Sequence, residues 1–341
     1  MRVLITGTAG LIGSWLTEAL CKEKDIEKVT GVDDLSGGVM ENVTLCRSPK
    51  FTFEQIDITQ YKKIEEVFAQ NRPHIVVHAA ACAREGASAF QPHAITLTNS
   101  FASSIMLELG IKYGMKRFVF FSSMACAGDN HVPFTEDMPR KPVDIYGVNK
   151  AATEKSIEIL ASVHGFEYVI IRPHNVFGSR QIFDPYRNVV TIFCNRLMRR
   201  EPLYIFGENH IRAFSYIEDS LPAFMKTVSS DKANGQIIFI GGKEQITIEQ
   251  LLDAVIEDFQ PSYKPEIIHL EPRPLEVKEA FCSIEKSVKL LGYREQIGWR
   301  EGVRRTVEWA KVKKGPQNWR VDYLPLINEK TPRPWREIAG L

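Results

Sequence analysis

Short runs of apolar, often β-branched residues recur along the first half of the chain and alternate with stretches of helical period. Val3–Thr6, Lys28–Val32, Phe51–Ile56, Ile75–His78, Arg117–Phe121 and Tyr168–Ile171 read as continuous apolar runs. That pattern belongs to parallel strands buried on both faces. Between them lie helix candidates at Ile12–Lys24, Tyr61–Gln70, Ala94–Tyr113 and Tyr146–His164. The alternation predicts an α/β fold with a doubly wound parallel sheet covered by helices on both faces. After Arg172 the pattern turns irregular, with Pro, Gly and Asn at Pro173–Gly178 and a further helix candidate at Ile248–Asp258. We expect a first domain at 1–175 plus about 214–241, and a smaller α/β domain at 176–213 plus 242–341. The tail, Gly315–Leu341, reads as surface-bound and receives no function.

Composition narrows the classes. The chain has 341 residues, 43 basic and 42 acidic, for a net charge of +1. No basic excess points to nucleic acid or a membrane surface. No apolar run approaches the roughly 20 residues of a membrane span. The N-terminus enters a strand pattern directly and does not read as a signal peptide. The six cysteines form no CxxC pair, and the eight histidines show no HExxH spacing. We therefore expect reduced thiols, no metal and a cytoplasmic location.

Thr6-Gly7-Thr8-Ala9-Gly10-Leu11-Ile12-Gly13 separates the first strand from the first helix. Gly7, Gly10 and Gly13 let the backbone approach a pyrophosphate, and Leu11 and Ile12 open the helix whose N–H groups face it. Asp33, followed by Asp34, ends the next strand 20 residues after Gly13, where an acid binds the adenosine ribose diol. That acid repels a 2′-phosphate, so NAD is expected over NADP.

Tyr146 and Lys150 stand at i and i+4 on one helix face. An ammonium near a phenol favours the phenolate, so Lys150 and a positive nicotinamide ring are expected to lower the Tyr146 pKa and make it a base. Ser122 and Ser123 end the preceding strand, where a hydroxyl holds the same substrate oxygen.

These motifs, with His78-Ala79-Ala80, Asn99 and Arg172-Pro173-His174-Asn175-Val176-Phe177-Gly178, occur in order. The chain resembles the extended short-chain dehydrogenase/reductase superfamily, in its nucleotide-sugar epimerase/dehydratase branch (UDP-galactose 4-epimerase-like), from residue 1 to about 310. The resemblance implies a Rossmann-type fold, NAD as cofactor, a nucleotide-diphosphate sugar, most simply a UDP-sugar, as substrate, and a homodimer. It implies that Asp57 and Ile58 cradle adenine and that Ala79, Ala80, Asn99 and Ser122 line the cofactor. Ser123, Tyr146 and Lys150 become the catalytic set, and Asn175, Asn188, Arg212 and Arg273 contact the substrate. Aligning Arg273-Pro274-Leu275-Glu276 with the family's pattern puts Ala280 at a gate that admits a 2-acetamido sugar. Helices 94–113 and 146–164 would pair in the dimer through residues such as Ile105, Leu109, Ile157 and Leu160.

The chain departs from the branch at Ala127, where a tyrosine is usual. Cys126 reads as a packed thiol and His174 as a buried histidine. A dehydratase carries Asp-Glu after the catalytic Ser/Thr, but Met124 and Ala125 stand there and cannot titrate. By elimination the reaction reads as 4-epimerisation through a transient 4-keto sugar. The alternatives are a nucleotide-sugar dehydratase or another NAD-dependent sugar-nucleotide oxidoreductase, and a non-catalytic dinucleotide sensor. The sensor is disfavoured because Tyr146 and Lys150 are both present.

Overall fold

The computed structural model describes residues 1–319 and 325–340. The remaining part of the tail expectation, 320–324 and Leu341, lies outside the described residues. The first six strands appear where the apolar runs stand: β1 (Arg2–Thr6), β2 (Lys28–Asp33), β3 (Phe51–Gln55), β4 (Ile75–His78), β5 (Arg117–Phe121) and β6 (Glu167–Pro173). A seventh, β7 (Gln236–Ile240), returns from the second half of the chain and adds beside β6. The order is β7-β6-β5-β4-β1-β2-β3, and every pairing is parallel. β5 is buried throughout because helices cover both faces of the sheet.

Two apolar layers sandwich the sheet. Leu16, Leu20, Phe224 and Val228 pack on one face. Ile105, Met106, Leu109 and Ile157 pack on the other. Ile105, Leu109 and Ile157, expected on a dimer surface, are therefore core residues. Their helices turn the apolar face inward onto β4, β5 and β6. The apolar residues left outside on these helices are Phe101, Val148, Ile159 and Val163.

The helical run Pro92–Lys112, with a π-helical turn at Leu97–Phe101, has 21 residues and contains an 18-residue stretch with a mean hydropathy of 1.2. It is long and apolar enough to span a membrane by length and composition, contrary to the expectation that no run approaches that length. Half of it is buried within the fold, against the sheet and its neighbouring helices, which accounts for its composition.

The strand order reverses direction between β1 and β4. At such a switch point the loops leaving the carboxyl ends diverge and open a crevice. A three-stranded sheet of Gln245–Thr247, Ile211–Ala213 and Glu279–Ala280 and a pair of Ile267–Leu270 with Leu203–Phe206 lie on the far side of it.

Candidate functional site

A cavity of about 520 Å³ occupies the crevice. Its floor is the loop between β1 and helix Leu11–Lys22. Gly7 sits at φ +77°, and a Cβ there would stand 2.7 Å from Ala80 N. A Cβ on Gly13 would stand 2.0 Å from Gly7 O. Side chains are excluded at both positions, and the helix begins at Leu11 without any side-chain cap. Its free N–H groups are thus left for an anion. Asp33, 8 % exposed, lines the cavity and accepts hydrogen bonds from Ala9 N (2.9 Å) and Leu35 N (2.8 Å). Asp34, Asp57, Ile58, Ala79 and Ala80 line it as well. Glycine cradle, uncapped helix start and buried acid fit a dinucleotide. Gly13→Ala should cost about 1–3 kcal/mol through overpacking and weaken dinucleotide binding, which denaturation and calorimetry would measure together.

Asn99 differs from its expected place. Its side chain clamps the Cys82 peptide, accepting from Cys82 N at 2.8 Å and donating to Cys82 O at 3.1 Å. It is fully buried and does not line the cavity, so it positions the loop after β4 instead of meeting the cofactor.

Ser122, Ser123, Tyr146 and Lys150 come together at the inner end of the same cavity. Helix Ile145–His164 starts at Asp144, whose carboxylate accepts from Gly147 N at 2.8 Å. That cap fixes the first turn and with it Tyr146. Lys150 Nζ donates to Phe121 O at 2.7 Å and lies 5.8 Å from the Tyr146 ring centroid. Burial lowers the Lys150 pKa to about 8. Burial also raises the Tyr146 pKa, against the hydrogen-bonding influence of Ser123, and Glu85, Cys126 and Asp144 add to the rise. The expected lowering is therefore reversed in the protein alone, because desolvation and nearby acids outweigh the ammonium.

Ser122 donates to Glu154 Oε1 at 2.6 Å. Glu154 also receives Arg172 Nε at 2.9 Å and Nη2 at 2.7 Å. This buried ion pair ties β6 to the catalytic helix and anchors the end of β5. Cys126 is packed beside Ser122 with its thiol pushed up to about 12 by burial. His174 is fully buried, its pKa lowered to about 3 by burial, and it lies outside the lining of this cavity. Neither is poised as a base.

A second cavity of about 270 Å³ adjoins the first. Ala83, Glu85, Asn175, Val176, Arg187 and Asn188 line both. Arg212 and Arg273 line the second, not the outer surface. Arg212 donates to the carbonyls of Ile211, Val277 and Lys278, and Arg273 Nε donates to Glu276 at 2.9 Å. The two guanidiniums supply forked N–H donors suited to a dianionic diphosphate. Asn188 begins helix Val189–Arg199 at φ 68°. Asn175 Nδ2 donates to Ala213 O at 3.0 Å.

Ala280 is not a gate. It is 1 % exposed, pairs alongside Arg212, and packs with Met124, Phe134, Phe239 and Cys282 away from the cavity. In a strand a one-residue shift turns a side chain to the opposite face.

The tail, read as surface-bound, reaches the second cavity. Trp335, 3 % exposed, lines it with Pro334. Its ring packs edge-on to Tyr186 (5.5 Å) and Phe90 (6.1 Å). No local motif marks this tryptophan. Glu85, Arg84, Asp184 and Arg187 were also missed. Asp184 bridges Arg84 (3.0 Å) and Arg187 (3.3 Å), and Arg187 Nη2 donates to Gly37 O at 3.1 Å. That closes the loop after Asp33 over the cavity.

A family model described as NAD dependent epimerase/dehydratase family matches residues 3–241. A UDP-glucose 4-epimerase of Thermus thermophilus, solved in complex with NAD, superimposes with a TM-score of 0.82 at 31% identity, covering 90% of this chain and 98% of that one. A UDP-glucuronate 4-epimerase of Thermodesulfobacterium geofontis is 31% identical over 90% of this chain and 95% of its own length. A dTDP-glucose 4,6-dehydratase of Escherichia coli is 27% identical over 91% and 92%. The chain belongs to the NAD dependent epimerase/dehydratase family, and NAD is its cofactor.

Proposed function

We propose that the protein is an NAD-dependent 4-epimerase of a nucleotide-diphosphate sugar. The observation that carries this reading is the meeting of two cavities at Glu85 and Asn175, one with a glycine cradle and Tyr146, the other with two arginines. Met124 and Ala125, which follow Ser123, offer no titratable pair for dehydration. Epimerisation asks least of the protein.

Bound NAD supplies a reversible hydride acceptor. Tyr146 takes the proton from the sugar O4 and returns it after the 4-keto sugar has turned over. Ser123 hydrogen-bonds the same oxygen in both directions. Lys150 holds positive charge near the phenol. Because burial and Glu85 keep that phenol protonated in the protein alone, the base forms only when further positive charge enters the site. Arg212 and Arg273 hold the diphosphate while the sugar rotates. Incubating the NAD-loaded protein with UDP-glucose or dTDP-glucose and reading products by NMR tests the reading. C4 epimers support it; a 4-keto-6-deoxy sugar contradicts it in favour of dehydration.

Trp335 forms part of the nucleotide-sugar wall in this reading. Trp335→Ala should raise KM for the nucleotide sugar on the order of tenfold and leave NAD affinity unchanged. Steady-state kinetics and calorimetry measure the two.

We also place the protein in the cytoplasm, with its cysteines reduced, as a homodimer. Val148, Ile159 and Val163 form an exposed apolar stripe on helix Ile145–His164, with Phe101 on the neighbouring helix. Such a stripe is suited to a second copy across a two-fold axis. Light scattering should give a dimer for the native chain and a shift toward monomer for Ile159→Glu.

A further inference from the structure

We infer that Glu85 selects the sugar by charge: its carboxylate admits neutral sugars and turns away sugars that carry a carboxylate of their own. The inference rests on the nucleotide-sugar reading above and names the substrate class within it.

Glu85 stands on the loop after β4 where the two cavities join, and it lines both. It is an exposed residue of that loop. Among the described residues no hydrogen bond or salt bridge reaches its carboxylate. The charged groups that face it come from three places. Asp144 and Tyr146 open helix Ile145–His164, Arg212 lies on strand Ile211–Ala213, and Arg273 and Glu276 lie in the loop after Ile267–Leu270. Both arginines are engaged elsewhere, Arg212 on the carbonyls of Ile211, Val277 and Lys278 and Arg273 on Glu276. Gly86 lies against the Arg273 guanidinium, whose Nη1 would stand 3.0 Å from a Cβ at that position, and the guanidinium is held by the Glu276 carboxylate. Three residues on, Ser88 is 1 % exposed, lines the second cavity, and its hydroxyl has no partner. Glu85 thus offers an acceptor and Ser88 a hydroxyl to the second cavity, with Glu85 close enough to the catalytic tyrosine to act on its charge.

Such a pair matches a polyhydroxylated ligand. A free carboxylate accepts hydrogen bonds from sugar hydroxyls at little cost. A second carboxylate brought beside it meets like charge, while Arg212 and Arg273 are taken up by the diphosphate. Overall identity leaves this choice open, since relatives at 31% include both a UDP-glucose and a UDP-glucuronate 4-epimerase. Burial and Asp144 raise the Glu85 pKa to about 7, with Arg212 and Arg273 opposing. Such a carboxyl is half ionised near pH 7, so the discrimination is close to full by about pH 8 and fades as the pH falls toward 6.

The test uses the full-length, NAD-loaded protein, with binding of UDP-glucose and UDP-glucuronic acid measured by calorimetry and C4 inversion followed by NMR. At pH 8 UDP-glucose should bind at least about tenfold more tightly. The gap should narrow severalfold at pH 6. Glu85→Gln should remove most of it at pH 8 and make it insensitive to pH. Glu85→Ala, which lacks any acceptor, should narrow it in the same sense, and thermal melting checks that both variants fold. Equal or tighter binding of the uronic acid at pH 8, or an unchanged ratio in Glu85→Gln, overturns the inference. A ratio that shifts as stated without C4 inversion leaves Glu85 as selector and defeats the epimerase reading. C4 inversion with an unchanged ratio does the reverse, and failure of both sugars to bind defeats both.

Discussion

Tyr146→Phe is expected to lower turnover by about 10²–10⁴-fold, the usual contribution of a positioned general base, while NAD affinity stays nearly unchanged. The substitution removes one oxygen and keeps the ring, which is buried and packs near Ile95 and Ala125. Lys150 keeps its bond to Phe121 O and its place in the cavity. His174 and Cys126 do not compensate. The first is buried off the cavity, and the second is a buried thiol with a pKa near 12. Steady-state kinetics with calorimetric NAD binding is the measurement. Near-native turnover in this variant would remove Tyr146 from the base role.

The second large effect is on stability. Glu154 is fully buried and Arg172 is 2 % exposed. Glu154→Ala strands the buried Arg172 guanidinium on β6 and deprives Ser122 and Arg140 of an acceptor each. Breaking a buried pair from one side costs about 3–5 kcal/mol, so chemical denaturation should show a loss of that order. A double change, Glu154→Leu with Arg172→Met, should cost much less, because no charge is then left unpaired. If the single and double variants lose the same stability, the pair is not what holds β6 to the catalytic helix.

The features read most securely in the sequence are those whose physics is local. A parallel strand buried on both faces leaves an apolar run, as β1, β2, β4, β5 and β6 do, while β3 at the sheet edge alternates. The glycine cradle and Asp33 lie within one strand-helix-strand unit, so spacing alone located them. Tyr146 and Lys150 share a helix turn. The misreadings need tertiary information. Ala280 lies on a two-residue strand, where nothing local says which face meets the ligand. Ile105, Leu109 and Ile157 are apolar on long helices, and only the packing shows that this face is spent on the core. Trp335 reaches Phe90 and Tyr186 across most of the chain. Glu85 is one acid in a polar loop, and its meaning comes from the absence of a partner, which a sequence does not display.

The central claim is that hydride leaves C4 of the sugar and returns to the same carbon inside one closed site. UDP-glucose deuterated at C4, incubated with the NAD-loaded protein and read by NMR and mass spectrometry, tests it directly. The account predicts UDP-galactose that keeps deuterium at C4, with no solvent hydrogen at that position. Product without deuterium at C4, or a 4-keto-6-deoxy sugar with the label moved to C6, would contradict it.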